Sequence, residues 1–299
     1  MFKLKNILGM GLMLGLLQCS TAFAAEATVL VDNKTDQEIT AQEMVASMKD
    51  YNAIFFGEFH NQDILHQVEF DLLQELYAQY GERVVLSMEM FEANAQENID
   101  KYFADEITEE EFLATSRPWP RYQTDYRHIV EFAKAHKLHL IGANVPKAVV
   151  VPAVHEGIEA VPVEDRKYLP RETTAPEGAY KEKFCNYMLN MQTAMQIKPE
   201  RLNKAFAHQC TKDDKMAESI FDYLTEHPDA VVFHINGCFH SDAHLGTVER
   251  LHWRGPKLKV AVISSRDLPA DGNFRSVHEA NKGEGEYIVY FTRVPKEGN

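Results

Sequence analysis

Four points in this sequence place ionisable or amide side chains directly after a short apolar run. Gly57-Glu58-Phe59-His60 follows Ala53-Ile54-Phe55-Phe56, with His66 early in the segment that comes next. Glu89 and Glu92 stand in Met88-Glu89-Met90-Phe91-Glu92, after Val84-Val85-Leu86-Ser87. Asn144 ends Leu138-His139-Leu140-Ile141-Gly142-Ala143, and Asn236-Gly237-Cys238-Phe239-His240 follows Ala230 to Ile235, with His244 beyond. Carboxylates and imidazoles gathered at neighbouring strand ends can ligate a divalent metal or act as general acid and base. The metal set is His60, His66, Glu89, Glu92 and His240. The acid–base set is Glu58, His60, Glu89 and His240. Each residue also has an ordinary reading. With 13 His in the chain some fall near strand ends by chance, and Glu92 can simply favour a helix N-terminus through the dipole. The constellation weighs more than any member, because polar groups just past a buried strand need partners.

Other chemistries are absent from the sequence. There is no G-x-S-x-G elbow, no H-E-x-x-H, no P-loop and no G-x-G-x-x-G after a strand. Four Cys without C-x-x-C spacing remove zinc ribbons, thioredoxin-like motifs and covalent c-type haem attachment, while a noncovalent cofactor remains open. Lys+Arg 31 against Asp+Glu 45 gives a net charge of -14, which opposes binding to nucleic acid.

The elements that must position these residues alternate between short apolar runs and long helical patterns, the signature of a sheet with crossover helices. Strands are expected at 53–56, 84–88, 138–141, 230–235, 258–263 and 287–291. Leu65, Val68, Leu72 and Leu76 recur at helical spacing and Gly81 stops that helix. Further helices are expected at 92–102, at 109–115 behind a Thr108/Glu111 capping box, and at 126–136, 180–197 and 200–226. The fold class is therefore α/β: one domain, a mostly parallel central sheet flanked by helices, and a helical cap made by insertions at 92–125 and 146–227. In open parallel sheets ligands bind outside the carboxyl ends of the strands, where the polar runs lie.

The first residues read as an address. Lys3 and Lys5 precede an apolar run from Ile7 to Leu17, too short to span a bilayer, and Ala22-Phe23-Ala24 supplies a cleavage site, leaving a domain over 25–299. Leu16-Leu17-Gln18-Cys19 offers the rival of a lipoprotein signal, with a possible outer-membrane tether through Cys19. Both readings export the chain to the periplasm or the outer membrane. Loss of residues 1–24 removes two lysines and no acids, taking the charge from -14 to -16. It leaves Cys185, Cys210 and Cys238, either as a Cys185–Cys210 bridge plus one thiol or as three small hydrophobes.

Read in order, Gly57-Glu58-Phe59-His60 with His66, Glu89-Met90-Phe91-Glu92, Arg117-Pro118-Trp119-Pro120 with Tyr126, and Gly142-Ala143-Asn144-Val145-Pro146 resemble the ChaN-like family of exported bacterial proteins. Tyr180-Lys181-Glu182-Lys183-Phe184, Gln209-Cys210-Thr211-Lys212-Asp213 and Asn236-Gly237 with His240 and Gly246 continue the match to about Leu251. The resemblance implies noncovalent haem binding at a homodimer interface through a tyrosine, within iron acquisition. Tyr180 is the first choice of ligand, Tyr187 and Tyr168 are alternatives, and His208 is a further candidate for the cofactor. Phe184, Tyr187, Met188, Met191 and Met195 form an apolar stripe that is either a haem wall or ordinary core. The family is also similar to Tiki proteases and erythromycin esterases, which implies the alternative of a metal-dependent hydrolase built on the strand-end cluster.

Overall fold

A computed structural model describes residues 27–191 and 198–294. The expected signal segment with Cys19 and Ala24, and Met195 of the apolar stripe, lie outside the described residues. The strands are β1 (Thr28–Asp32), β2 (Gln37–Ile39), β3 (Ala53–Glu58), β4 (Val84–Glu92), β5 (His139–Asn144), β6 (Val231–Gly237), β7 (Val260–Asp267) and β8 (Tyr287–Phe291). The helices are α1 (Ala41–Ser47), α2 (Asp63–Tyr80), α3 (Gln96–Phe103), α4 (Glu109–Ser116), α5 (Arg127–Ala135), α6 (Lys147–His155), α7 (Ala179–Met191), α8 (Pro199–Glu226), α9 (Thr247–Arg254) and α10 (Arg275–Asn281).

All eight strands join one sheet in the order β2-β1-β8-β7-β3-β6-β4-β5. From β8 to β5 every pairing is parallel, and β1 and β2 add antiparallel strands at one edge. The central strands are apolar on both sides because both faces are covered. Ile54 and Phe56 of β3 point into a core with α2 and α5, whereas Ala53 and Phe55, one residue out of phase, pack with α8 and α9. Leu65, Val68, Leu72, Leu73 and Leu76 make the buried stripe of α2, and Gly81, at φ 60°, ends it. The Thr108/Glu111 capping box is present at the start of α4. Among the described residues no helix is long and apolar enough to cross a membrane.

Several expectations need correction. The sequence reading contains no counterpart of β1, β2, α1, α9 or α10; β1 and β2 are short edge strands whose pairing with β8 only the tertiary fold supplies. Glu92 does not start a helix: β4 runs through it, and its Oε1 accepts from Lys147 N (2.8 Å) at the first turn of α6. The segment 146–227 is not wholly a cap, since Met216, Ala217, Ile220 and Leu224 in the second half of α8 cover a sheet face. Within this segment α7 and the first half of α8 stand over the strand ends, joined by Tyr180, Phe184, Phe206 and Cys210, and Trp119 of the 92–125 insertion reaches His60 there. Cys185, Cys210 and Cys238 are all free thiols, so no Cys185–Cys210 bridge forms, and Cys210 alone is fully buried.

Candidate functional site

Because β6 lies between β3 and β4, the carboxyl ends of these three strands sit side by side. Glu58 ends β3, Glu89 lies near the end of β4, and Gly237 ends β6. The β4–β5 register shifts between Met88 and Glu92, an irregularity of the kind that re-aims side chains at sheet ends, and Asn144 Nδ2 donates to the Glu89 carbonyl (3.0 Å) across it. Gly237 has no room for a side chain: a Cβ there would lie 2.7 Å from His60 Nε2. Above these ends opens a cavity of about 740 Å³. Its floor is Glu58, His60, Glu89 and His240, its walls include Phe59, Trp119, Phe184, Tyr187 and Phe239, and Lys212 brings positive charge to it, while Arg266 is paired with Asp242 (2.9 Å) and Glu284 (2.7 Å).

Two carboxylate–imidazole pairs occupy the floor. Glu58 Oε1 contacts His60 Nδ1 and accepts from the Tyr126 hydroxyl (2.7 Å). Glu89 Oε2 accepts from Gly237 N (2.9 Å), while its Oε1 lies 3.3 Å from His240 Nε2 and 3.7 Å from Lys212 Nζ. The other nitrogen of His240 meets Asp213 Oδ1 at 2.6 Å, so the ring is held between two carboxylates. Asp213 also accepts from Thr247 Oγ1 (2.9 Å) and from the Tyr180 hydroxyl (2.6 Å). His60 is the most open of the four, its side chain 40% exposed.

The charge states follow from these contacts. Burial pushes Glu89 up, but the adjacent His240 charge and hydrogen bond more than offset this and hold the carboxyl well below its usual range. Burial lowers His240, and Glu89 with Asp213 overcomes it, pushing the imidazole up to about 9. His60 is likewise raised against its burial, by Glu58 and Glu89. Burial raises Glu58, yet contacts with His60 and His66 bring it below the ordinary carboxylate range. The floor is thus a set of paired ions rather than neutral acids, able to donate a proton from His60 or His240.

The predicted residues divide by position. Glu58, His60, Glu89 and His240 come together; His66 is buried behind Glu58, its Nδ1 3.2 Å from Glu58 Oε2; Glu92 is directed to α6. Tyr180 is 2% exposed with its hydroxyl committed to Asp213, and burial followed by the Asp213 charge pushes its phenol well above the usual value. Tyr187, two turns along the same helix, is 51% exposed and forms part of the cavity wall. His208 does not line the cavity; burial, with Lys212 and His155 nearby, lowers it to about 4. Sequence reading missed Asp213, Glu69, Asp125 and Arg266. Asp213 had a signal in the Gln209 to Asp213 segment, but nothing in its spacing identified His240 as its partner.

The sequence model of the haem-binding uptake family, Tiki superfamily, ChaN, matches residues 44–251. Among curated proteins none matches significantly. Among solved structures, cofacial haem-bound ChaN of Campylobacter jejuni superposes with a TM-score of 0.68 at 17% identity, covering 90% of this chain and 98% of that one. Weaker likenesses are the RRSP effector domain of a Vibrio vulnificus MARTX toxin (TM-score 0.43, 16% identity, 76% of this chain and 36% of that one) and an erythromycin esterase in its open conformation (0.47, 10%, 90% and 83%). With the family model spanning most of the chain and the ChaN fold reproduced, this protein belongs to the ChaN family of haem-binding uptake proteins in the Tiki superfamily.

Proposed function

We propose that this chain is an exported haem-binding protein of iron acquisition, cleaved after Ala24, which holds haem in the strand-end cavity as a homodimer. The observation that carries the reading is the cavity itself. At about 740 Å³ it falls within the roughly 300–1,000 Å³ of small-molecule and cofactor pockets, and five aromatic rings line it. Its donor set also fits haem. Tyr187 offers a half-exposed phenol to a ferric iron, which tyrosine binds as phenolate, and Lys212 suits an anionic propionate. Tyr187 replaces Tyr180 as the proposed ligand, because the Tyr180 hydroxyl is buried against Asp213. The half-exposed ring on the cavity wall is suited to closure by a second copy of the chain.

Titration of the mature protein with haemin tests this. A saturable Soret band is expected, shifted in Tyr187→Phe and unchanged in Tyr180→Phe, with haemin moving the protein to dimer mass in gel filtration. Absence of a saturable band removes the haem reading, and an unchanged Tyr187→Phe spectrum removes this ligand. A second reading is favoured by the floor: two imidazole–carboxylate pairs face one cavity, as general acid–base hydrolysis requires. That reading expects ester or amide turnover lost in His60→Ala and in His240→Ala.

A further inference from the structure

Behind the cavity floor, on the α2 side, lies a second group that haem binding does not use. His66 Nδ1 stands 3.2 Å from Glu58 Oε2 and 3.1 Å from Glu69 Oε2, and one ligand atom from each of the three residues falls within 4.8 Å of the others. All three side chains are buried. The outward contacts of the group are already taken. Glu58 Oε1 is held by Tyr126 and His60, and His66 Nε2 faces the His60 carbonyl (3.3 Å) and Asp125 Oδ2 (3.5 Å). Arg121 Nε in turn donates to Asp125 Oδ2 (2.5 Å). An imidazole whose one nitrogen is turned to a carbonyl and a carboxylate presents the other as a ligand, the arrangement that orients metal-bound histidines.

Independently, Glu69 Oε1 is buried with no hydrogen-bond partner, and Glu58 Oε2 has only the His66 Nδ1 contact at 3.2 Å. Orphaned carboxylate oxygens in a protein interior are expensive and call for a positive group. We propose that Glu58 Oε2, His66 Nδ1 and Glu69 bind one divalent cation behind the haem cavity. Its two carboxylates would balance the charge of the ion. One imidazole with two carboxylates suits Mn(II), Fe(II) or Zn(II) better than Ca(II), which takes six to eight oxygens. Glu58 borders the cavity, which gives the ion a route in. Once bound, the ion fixes Glu58 and through it the orientation of His60. This set shares only His66 with the expected metal set of His60, His66, Glu89, Glu92 and His240; Glu58 and Glu69 are its other members.

The test uses the full chain stripped with chelator and dialysed against Mn(II) or Zn(II), with metal content measured and Mn(II) followed by electron spin resonance. Wild type and His240→Ala are expected to retain one equivalent per chain, with spin-echo modulation from a single imidazole nitrogen on Mn(II). Asp125→Asn should weaken binding about 10–100-fold through His66, and Glu69→Gln should weaken it further. No stoichiometric binding by wild type overturns the proposal and leaves a proton on His66 as the bridge. Binding kept by Glu69→Gln and lost in His240→Ala also overturns it, moving the ion to the cavity floor. If Glu69→Gln does not fold, the nitrogen signal and the Asp125→Asn affinity decide: absence of either effect rejects the site.

Discussion

Glu89→Gln asks whether the cavity floor holds charge or only shape. The substitution preserves size and still lets an amide oxygen accept from Gly237 N, so what it chiefly removes is the charge beside His240. His240 stands at about 9 in the native protein, against a reference value of 6.5. Because the folded value lies above the unfolded one, its stabilisation is complete below about pH 6.5 and is lost as pH rises through about 9. At about 1.4 kcal/mol per unit, that window carries about 3 kcal/mol. Glu89 is depressed, so its side of the pair is already complete above its unfolded value of 4.5 and does not vary in this window. In the metal-free protein His66, raised to about 11, adds a downward slope common to both proteins, which cancels in their difference, whereas His60, which Glu89 also helps to raise, adds to the difference in the same sense. Asp213 still faces His240 in the variant, so roughly half of the dependence should survive, and the variant should lose about 1–2 kcal/mol less than wild type from pH 6.5 to 9. Urea unfolding across that range measures the difference, and proton NMR of the His240 ring should show its midpoint falling. A gap between the two proteins that is constant with pH, or a wild-type His240 that titrates near 6.5, refutes the charged floor.

Three other outcomes follow from single contacts. Gly237→Ala forces a Cβ to within 2.7 Å of His60 Nε2, so the ring must swing away from Glu58; the fold should survive with a loss of about 1–3 kcal/mol, and NMR should show the His60 midpoint falling. Tyr180→Phe leaves Asp213 one donor short, and chemical unfolding should register a loss of about 1.5–3 kcal/mol. Arg250→Met removes the fully buried partner of Asp214, 3.1 Å away, while Arg254 (3.6 Å) and Thr174 N (2.7 Å) remain, and should destabilise by about 1–3 kcal/mol near neutral pH. Burial already pushes Asp214 up to about 6 despite Arg250, so the Arg250→Met loss should shrink at acid pH, where the stranded carboxyl is neutral.

The two halves of the site differed in how readable they were. Glu58 and His60 were legible because a polar pair directly follows an apolar run, a local pattern that fixes a strand end. Tyr180 and Tyr187 were not separable, since both lie on one helical stripe seven residues apart; only the packing of Phe206 and Asp213 against Tyr180 shows which hydroxyl is spent. Glu92 misled because an acid after an apolar run is compatible with both a strand end and a helix start. The β4 irregularity carries the strand through Glu92, and its carboxylate meets α6.

The sequence by itself determined the local terms: the core strands, where runs of Val, Ile and Phe can only be buried, the α2 stripe with its Gly81 stop, the α4 capping box, and the family. The tertiary structure decided the rest, above all which residues meet. Strand order places β6 between β3 and β4 although 138 residues, 93–230, lie between the end of β4 and the start of β6. That order brings His240 between Glu89 and Asp213. Periodicity reports which face of an element is buried, because burial acts on each residue separately. The pairing of charges is a property of two distant residues and is fixed only when the sheet closes around them.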